Sequence, residues 1–144
     1  MAEAECKARA VEARVARLAT TRADGRVDLV PIVFAFVESR LVFAVDHKPK
    51  RTTNLQRLAN IEANPHVTVL FDCYVDDDWD ALWWVRMRGW AQVAAEGPIT
   101  EQALDGLQAR YPQHKERRPD GPVVVVTPTA WTGWASFDPT DLDL

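Results

Sequence analysis

Apolar and polar residues alternate along much of this chain with the two-residue period of strands, and helical spacing intrudes at only a few places. Arg14–Thr21 and Val27–Val37 are rich in β-branched and apolar residues and flank Arg22-Ala23-Asp24-Gly25-Arg26. Asp-Gly supplies the positive φ of a tight turn, so this stretch predicts an antiparallel hairpin. Pro31 lies inside the second strand and cannot donate to a ladder, which predicts an edge or a bulge there. Beyond the turn Glu38-Ser39-Arg40, Leu41–Val45 and His66–Tyr74 predict two further strands. Between them Leu55, Leu58 and Ala59 recur at helical spacing, predicting a helix from Pro49 to about Asn60 that Pro65 closes.

Trp83–Ala95 has the length and alternation of a long strand, with Trp84, Arg86, Arg88 and Trp90 on one side and Trp83, Val85 and Met87 on the other. Glu3–Arg14 predicts a leading helix that buries Cys6, Ala10 and Ala13, and Pro98–Arg110 a helix with Ala103, Leu104 and Leu107 as its apolar side. Tyr111-Pro112 ends that helix. Val75–Asp80 is expected to be an acidic loop, Gln113–Asp120 a charged and mobile connection, and Val123–Thr127 and Trp131–Phe137 two short closing strands. Early hairpins, with no regular alternation of strand and helix, predict a mainly β fold: an antiparallel barrel with peripheral helices. Residues 1–144 show no repeat or linker, so a single domain is expected.

Charge changes the picture little. The 17 Lys and Arg against 21 Asp and Glu give −4, which argues against nucleic acid as a partner. No apolar run approaches the ~18 residues that span a bilayer, and Met1-Ala2-Glu3-Ala4-Glu5-Cys6 lacks a leader pattern. A soluble, cytoplasmic protein is expected. Cys6 and Cys73 lack the spacing of a disulfide framework or a zinc site.

Candidate chemistry concentrates in Asp46-His47-Lys48-Pro49-Lys50-Arg51-Thr52. Lys48, Lys50 and Arg51 crowd the start of a predicted helix, where each exposed cation opposes the dipole by ~0.3–1 kcal/mol unless an anion occupies the helix end. The segment reads either as a phosphate seat or as a solvated basic turn; on these residues alone both remain open. Elsewhere the six glycines form neither a dinucleotide fingerprint nor a phosphate loop, and the three histidines lack zinc-protease spacing. Asp76-Asp77-Asp78-Trp79-Asp80 has neither the turn glycine nor the terminal glutamate of a calcium loop. Neither a metal site nor a catalytic side-chain constellation is therefore expected.

Several segments, in order, resemble one family: Ala16-Arg17-Leu18-Ala19-Thr20-Thr21 with Asp24-Gly25, Leu29-Val30-Pro31-Ile32-Val33-Phe34, Lys48-Pro49-Lys50-Arg51, Asn60-Ile61-Glu62-Ala63-Asn64-Pro65, Leu82-Trp83-Trp84-Val85-Arg86, Arg110-Tyr111-Pro112-Gln113 and Trp131-Thr132-Gly133-Trp134. From about Arg14 to Phe137 the chain is similar to the flavin-binding split β-barrel proteins related to pyridoxamine 5'-phosphate oxidase, and within them to the small actinobacterial deazaflavin-dependent branch. The resemblance implies an antiparallel, Greek-key-like split barrel of the flavin-reductase kind. It also implies a homodimer with cofactor sites at the subunit interface. By the same resemblance Lys48, Lys50, Arg51 and Thr52 would meet the cofactor phosphate. Pro31, Ile32 and Val33 would lie along its ring, and Trp84, Arg86 and Trp134 would reach it across the dimer. The implied activity is hydride transfer between reduced coenzyme F420 and a small unsaturated or conjugated substrate. FMN in the same fold, or a non-catalytic carrier or sensor, is the alternative. The basic C-terminal substrate motif of pyridoxamine oxidases is not found before Leu144, which speaks against oxidation of the vitamin phosphate.

Overall fold

The computed structural model describes residues 1–45, 51–119 and 121–137, with residues 51–55 described by their backbone alone. In chain order the elements are α1 (Glu3–Glu12), β1 (Ala16–Thr21), β2 (Val27–Ile32), β3 (Ala35–Val37), β4 (Arg40–Ala44), α2 (Arg51–Ala63), β5 (His66–Cys73), β6 (Trp83–Ala94), α3 (Pro98–Arg110), α4 (Pro112–Glu116) and β7 (Val123–Ala135). A short 3-10 turn, Trp79–Ala81, precedes β6. The strands make one antiparallel sheet in the order β2-β1-β5-β6-β7-β4-β3. Its two edge strands, β2 and β3, are consecutive in the chain and joined only by Val33 and Phe34. Edges so tethered must approach each other, so the sheet curls into a half-barrel; β2 and β3 share no ladder, and the barrel stays split.

The interior follows from alternation. Ala16 and Leu18 on β1, Val67, Val69 and Phe71 on β5, and Val85 and Met87 on β6 all face inward and are buried. Phe71 touches Phe34 at 5.2 Å, Phe36 at 6.4 Å and Trp131 at 6.5 Å between ring centroids, joining strands from opposite edges of the sheet. α1 adds Cys6 and Ala10 to this core and α2 adds Ile61. On the other side of β4 and β7, α3 lays Ala103, Leu104 and Leu107 on Val42, Val123 and Val125. The unbroken run Val123–Val126 thus belongs to a segment buried on both faces, for which alternation would be wrong.

Gly25 has φ +88° in the expected Asp-Gly turn, and Pro31 sits on edge strand β2, where its missing N–H costs no ladder bond. Three expectations need correction. Val27–Val37 is not one strand: it breaks at Phe34, whose N–H donates to Tyr111 Oη (3.2 Å) and whose carbonyl accepts from the same hydroxyl (2.9 Å). The hydroxyl also lies 3.0 Å from the Arg14 carbonyl, so one side chain serves in place of the ladder at this bend. Tyr111→Phe leaves those buried groups without their partner and should lower stability by ~1–3 kcal/mol, read from urea unfolding.

The two short closing strands are one, β7. It continues because the pairing with β4 ends at Leu41↔Val126, so that Pro128 falls on an edge needing no donor. A register shift between Arg88 and Gly89 absorbs Thr129, whose hydroxyl donates to the Arg88 carbonyl at 3.2 Å. The described part of the Gln113–Asp120 segment, up to Pro119, is no simple mobile connection either. Pro112 starts α4, being suited to a first helical position, and Arg118 pairs with Asp105 at 2.8 Å and Glu101 at 2.9 Å. Among the described residues no helix is long and apolar enough to cross a membrane, and no group of three His, Cys, Asp or Glu is placed to hold a metal ion.

Candidate cofactor site

Two polar residues occupy positions where the alternation demands apolar ones. Thr20 follows Ala16 and Leu18 on the inner side of β1, and its register partner Asp28 precedes Val30 and Ile32 on the inner side of β2. Thr20 is buried and Asp28 half-buried, so both need hydrogen-bond partners, and α2 supplies these. Asn60, 2% exposed, donates through Nδ2 to Thr20 Oγ1 (3.0 Å) and Asp28 Oδ2 (2.9 Å). Gln56, one helical turn earlier, donates to Asn60 Oδ1 at 2.7 Å, and Arg22 Nε donates to both Asp28 oxygens at 3.0 and 2.9 Å. The Asn60 hydrogen bond, followed by Arg22, holds the Asp28 carboxyl below the usual carboxylate range. Its contribution to stability is complete above about pH 3.9, the ordinary Asp value, and is lost as pH falls through the lower folded value. Urea melts at stepped pH should therefore show wild-type stability falling more steeply below about pH 4 than that of Asp28→Asn.

Beside this network a cavity of about 410 Å³ opens between β1, β2 and α2. Thr20, Asp28 and Gln56 line it together with Leu29 and Val30, and among the described residues its cations are Arg22 and Arg57. Arg57 is the unsettled member. Its Nε is buried without a hydrogen-bond partner among the described residues, burial lowers its pKa, and its Cζ lies 5.8 Å from the Phe43 ring centroid. An unmet guanidinium N–H of this kind costs ~1–3 kcal/mol, which an anionic ligand group would remove. Among the described residues two cations face one carboxylate, which makes the cavity chemically suited to the phosphate end of a cofactor. Arg51 opens α2 six residues before Arg57, about 9 Å along the axis at 1.5 Å per residue.

The structure distributes the residues expected from the sequence over two places. Lys48 and Lys50 lie outside the described residues, as do the side chains of Arg51 and Thr52, whose backbone forms the first turn of α2. Pro31 is exposed on edge strand β2 and Val33 is 40% exposed just beyond it, whereas the Ile32 side chain is buried in the core, leaving only its backbone to meet a ligand. Trp84 and Trp134 are register partners on the outer side of β6 and β7, and Arg86 Cζ lies 5.6 Å from the Trp84 ring centroid. Arg86, Leu70, Arg17 and Pro31 form one cross-strand row. Three strand spacings separate Pro31 from Arg86, about 14 Å, so one protomer does not join them in one pocket.

The sequence reading missed Thr20, Arg22, Asp28, Gln56, Arg57 and Asn60. A signal was available: Thr20 and Asp28 break the inward apolar pattern at facing hairpin positions, and Gln56 and Asn60 repeat at four-residue spacing.

A family model described as pyridoxamine 5'-phosphate oxidase matches residues 2–135. No curated protein matches the chain. Among solved structures, the conserved hypothetical protein Rv2991 of Mycobacterium tuberculosis is similar with a TM-score of 0.75 at 21% identity, over 94% of this chain and 85% of that one. HutZ, the heme storage protein of Vibrio cholerae, gives 0.70 at 16%, over 92% and 93%. A protein named F420 reductase gives 0.62 at 25%, over 88% and 94%. Matched by the family model over nearly its whole described length and folded as a split antiparallel barrel, the chain belongs to the pyridoxamine 5'-phosphate oxidase family.

Proposed function

We propose that this chain is an oxidoreductase that binds coenzyme F420 as a homodimer and transfers hydride between the reduced cofactor and a small unsaturated or conjugated substrate. The observation that carries the reading is the buried Arg57 Nε at the α2 cavity, without a hydrogen-bond partner among the described residues, in the same helix that Lys48-Pro49-Lys50-Arg51 leads into. These cations neutralise the phosphate, and the Asp28–Asn60–Gln56 network fixes α2 against the hairpin so that Arg57 stays aimed. Pro31, the Ile32 backbone and Val33 flank the ring on one side. Because Trp84 and Arg86 on β6 lie three strand spacings (about 14 Å) and Trp134 on β7 four (about 19 Å) across the sheet from β2, the copies that reach that ring are Trp84, Arg86 and Trp134 of the partner subunit. Leu29 at 67% exposure, Trp90 at 53% and Trp134 at 46% give the outer sheet face the apolar content that a self-association surface uses.

When bound, the deazaflavin supplies the hydride chemistry, and the protein binds, orients and excludes water. Such a division of labour requires no side-chain nucleophile and no metal cluster. Arg86 and Arg88, outward on β6, favour a cofactor carrying an additional polyanionic tail over FMN. The F420 reductase similarity points the same way. FMN is the second reading, and similarity to an FAD-binding protein of Mesorhizobium loti keeps it in view. A third, a carrier or sensor without turnover, is separated by whether the reduced complex survives a panel of enones and quinones.

The test is a parallel titration of F420 and FMN into the purified protein, followed by fluorescence and by light scattering for mass. F420 should bind at least about tenfold more tightly than FMN, a difference of one charge-assisted contact, and to a dimer. Failure of the folded protein to bind either cofactor would remove the reading.

A further inference from the structure

A second cavity, of about 570 Å³, shares no lining residue with the first among the described residues. It arises where β7 outruns its neighbour: pairing with β4 stops at Leu41↔Val126, yet β7 continues to Ala135, so a notch opens beside the β3–β4 turn. α1 forms one wall, presenting Glu3, Lys7 and Val11 on a single stripe at four-residue spacing. Phe36 and Trp131 line the notch as a tilted ring pair, 6.4 Å between centroids at 30°, and neither is fully buried. An open aromatic pair at the base of a concave site offers a planar surface to a planar ligand.

Charge then decides which ligand. Lys7 pairs with Glu3 at 3.5 Å and Arg40 with Glu38 at 3.4 Å, the two longest ion pairs among the described residues, where the others span 2.8 to 3.1 Å. Both pairs are local in sequence and hold weakly. Their members are unequally exposed: the carboxylates of Glu3 and Glu38 are 65% and 68% accessible, against 53% for Lys7 and 35% for Arg40. All four side chains line the cavity, but only Arg40 is drawn in from solvent; Glu38 is held largely in water, and Glu3 is served by water and by the α1 dipole, which leaves the Arg40 guanidinium as the least hydrated charge at the notch.

We propose that this notch is a second ligand site that takes a planar aromatic carboxylate of one or two rings, its ring on Phe36 and Trp131 and its carboxylate on Arg40. The volume falls within the ~300–1,000 Å³ of small-molecule sites. This second site does not rest on the redox reading, since among the described residues none is shared with the cofactor cavity.

Calorimetry and ligand-observed NMR with indole-3-carboxylate, its neutral carboxamide and the cation tryptamine test it on the full chain. The carboxylate should bind about tenfold more tightly than the carboxamide, the effect of one charge-assisted contact. Arg40→Gln should erase that preference while leaving carboxamide binding and Tm unchanged. Val11→Trp, on a side chain 49% exposed, should fill the notch and abolish binding of both without impairing folding. The proposal is overturned if wild type binds no carboxylate at millimolar concentration, if tryptamine binds best, or if either variant binds as wild type does.

Discussion

Phe71→Ala is expected to destabilise the protein by about 3–5 kcal/mol, beyond the ~1–3 kcal/mol expected for Tyr111→Phe. The ring is fully buried and meets Phe34, Phe36 and Trp131, so its removal opens a cavity where β5, the β2–β3 connection and β7 converge. These groups come from both ends of the sheet order and cannot close the gap without relaxing the curl. Urea unfolding should show a lower midpoint at nearly unchanged m-value. A loss below about 1 kcal/mol would mean that the curl is held elsewhere, because truncations of this size in a rigid core cost several times that.

The second large effect separates binding from stability. The double variant Lys50→Ala, Arg51→Ala should weaken F420 binding about a hundredfold or more, at ~1.5–3 kcal/mol per hydrogen bond to a charged group. Its stability should change little, since relieving cations at a helix start returns only ~0.3–1 kcal/mol each at an exposed terminus. Arg57→Met should act with opposite signs on the two readouts. It replaces a buried guanidinium with an apolar side chain that can pack near Phe43, so Tm should hold or rise while cofactor affinity drops about tenfold. Titration and thermal melts on the same samples check both. A variant that bound F420 as wild type does would take Arg57 out of the site.

What could be read from the residues divides along physical lines. The Asp24-Gly25 turn, edge strand β2 and the two sides of β6 depend on local backbone preference and on a two-residue period, both visible in the string. The break at Phe34 depends on Tyr111, whose hydroxyl arrives from the end of α3, and no local window contains that partner. β7 looked like two strands because Pro128 usually interrupts a ladder; only knowledge that its pairing with β4 stops at Val126 shows that the proline has no bond to lose on that side, while it stays opposite Gly89 of β6. The α2 cavity was illegible for the same reason. A cluster of cations such as Lys48, Lys50 and Arg51 advertises itself by composition, but its side chains lie outside the described residues, whereas Thr20, Asp28 and Asn60 are ordinary residues made significant by facing one another.

The sheet order has a consequence for how the chain acquires its shape during synthesis. β7, the last strand among the described residues, lies between β6 and β4 near the middle of the sheet, and Leu41 waits for Val126. While the ribosome is still adding α3, the β3–β4 hairpin has no sheet to join and its apolar side chains remain wet. Folding should therefore be withheld until translation has passed β7 and then proceed nearly all at once, leaving nascent chains that stall earlier dependent on chaperones.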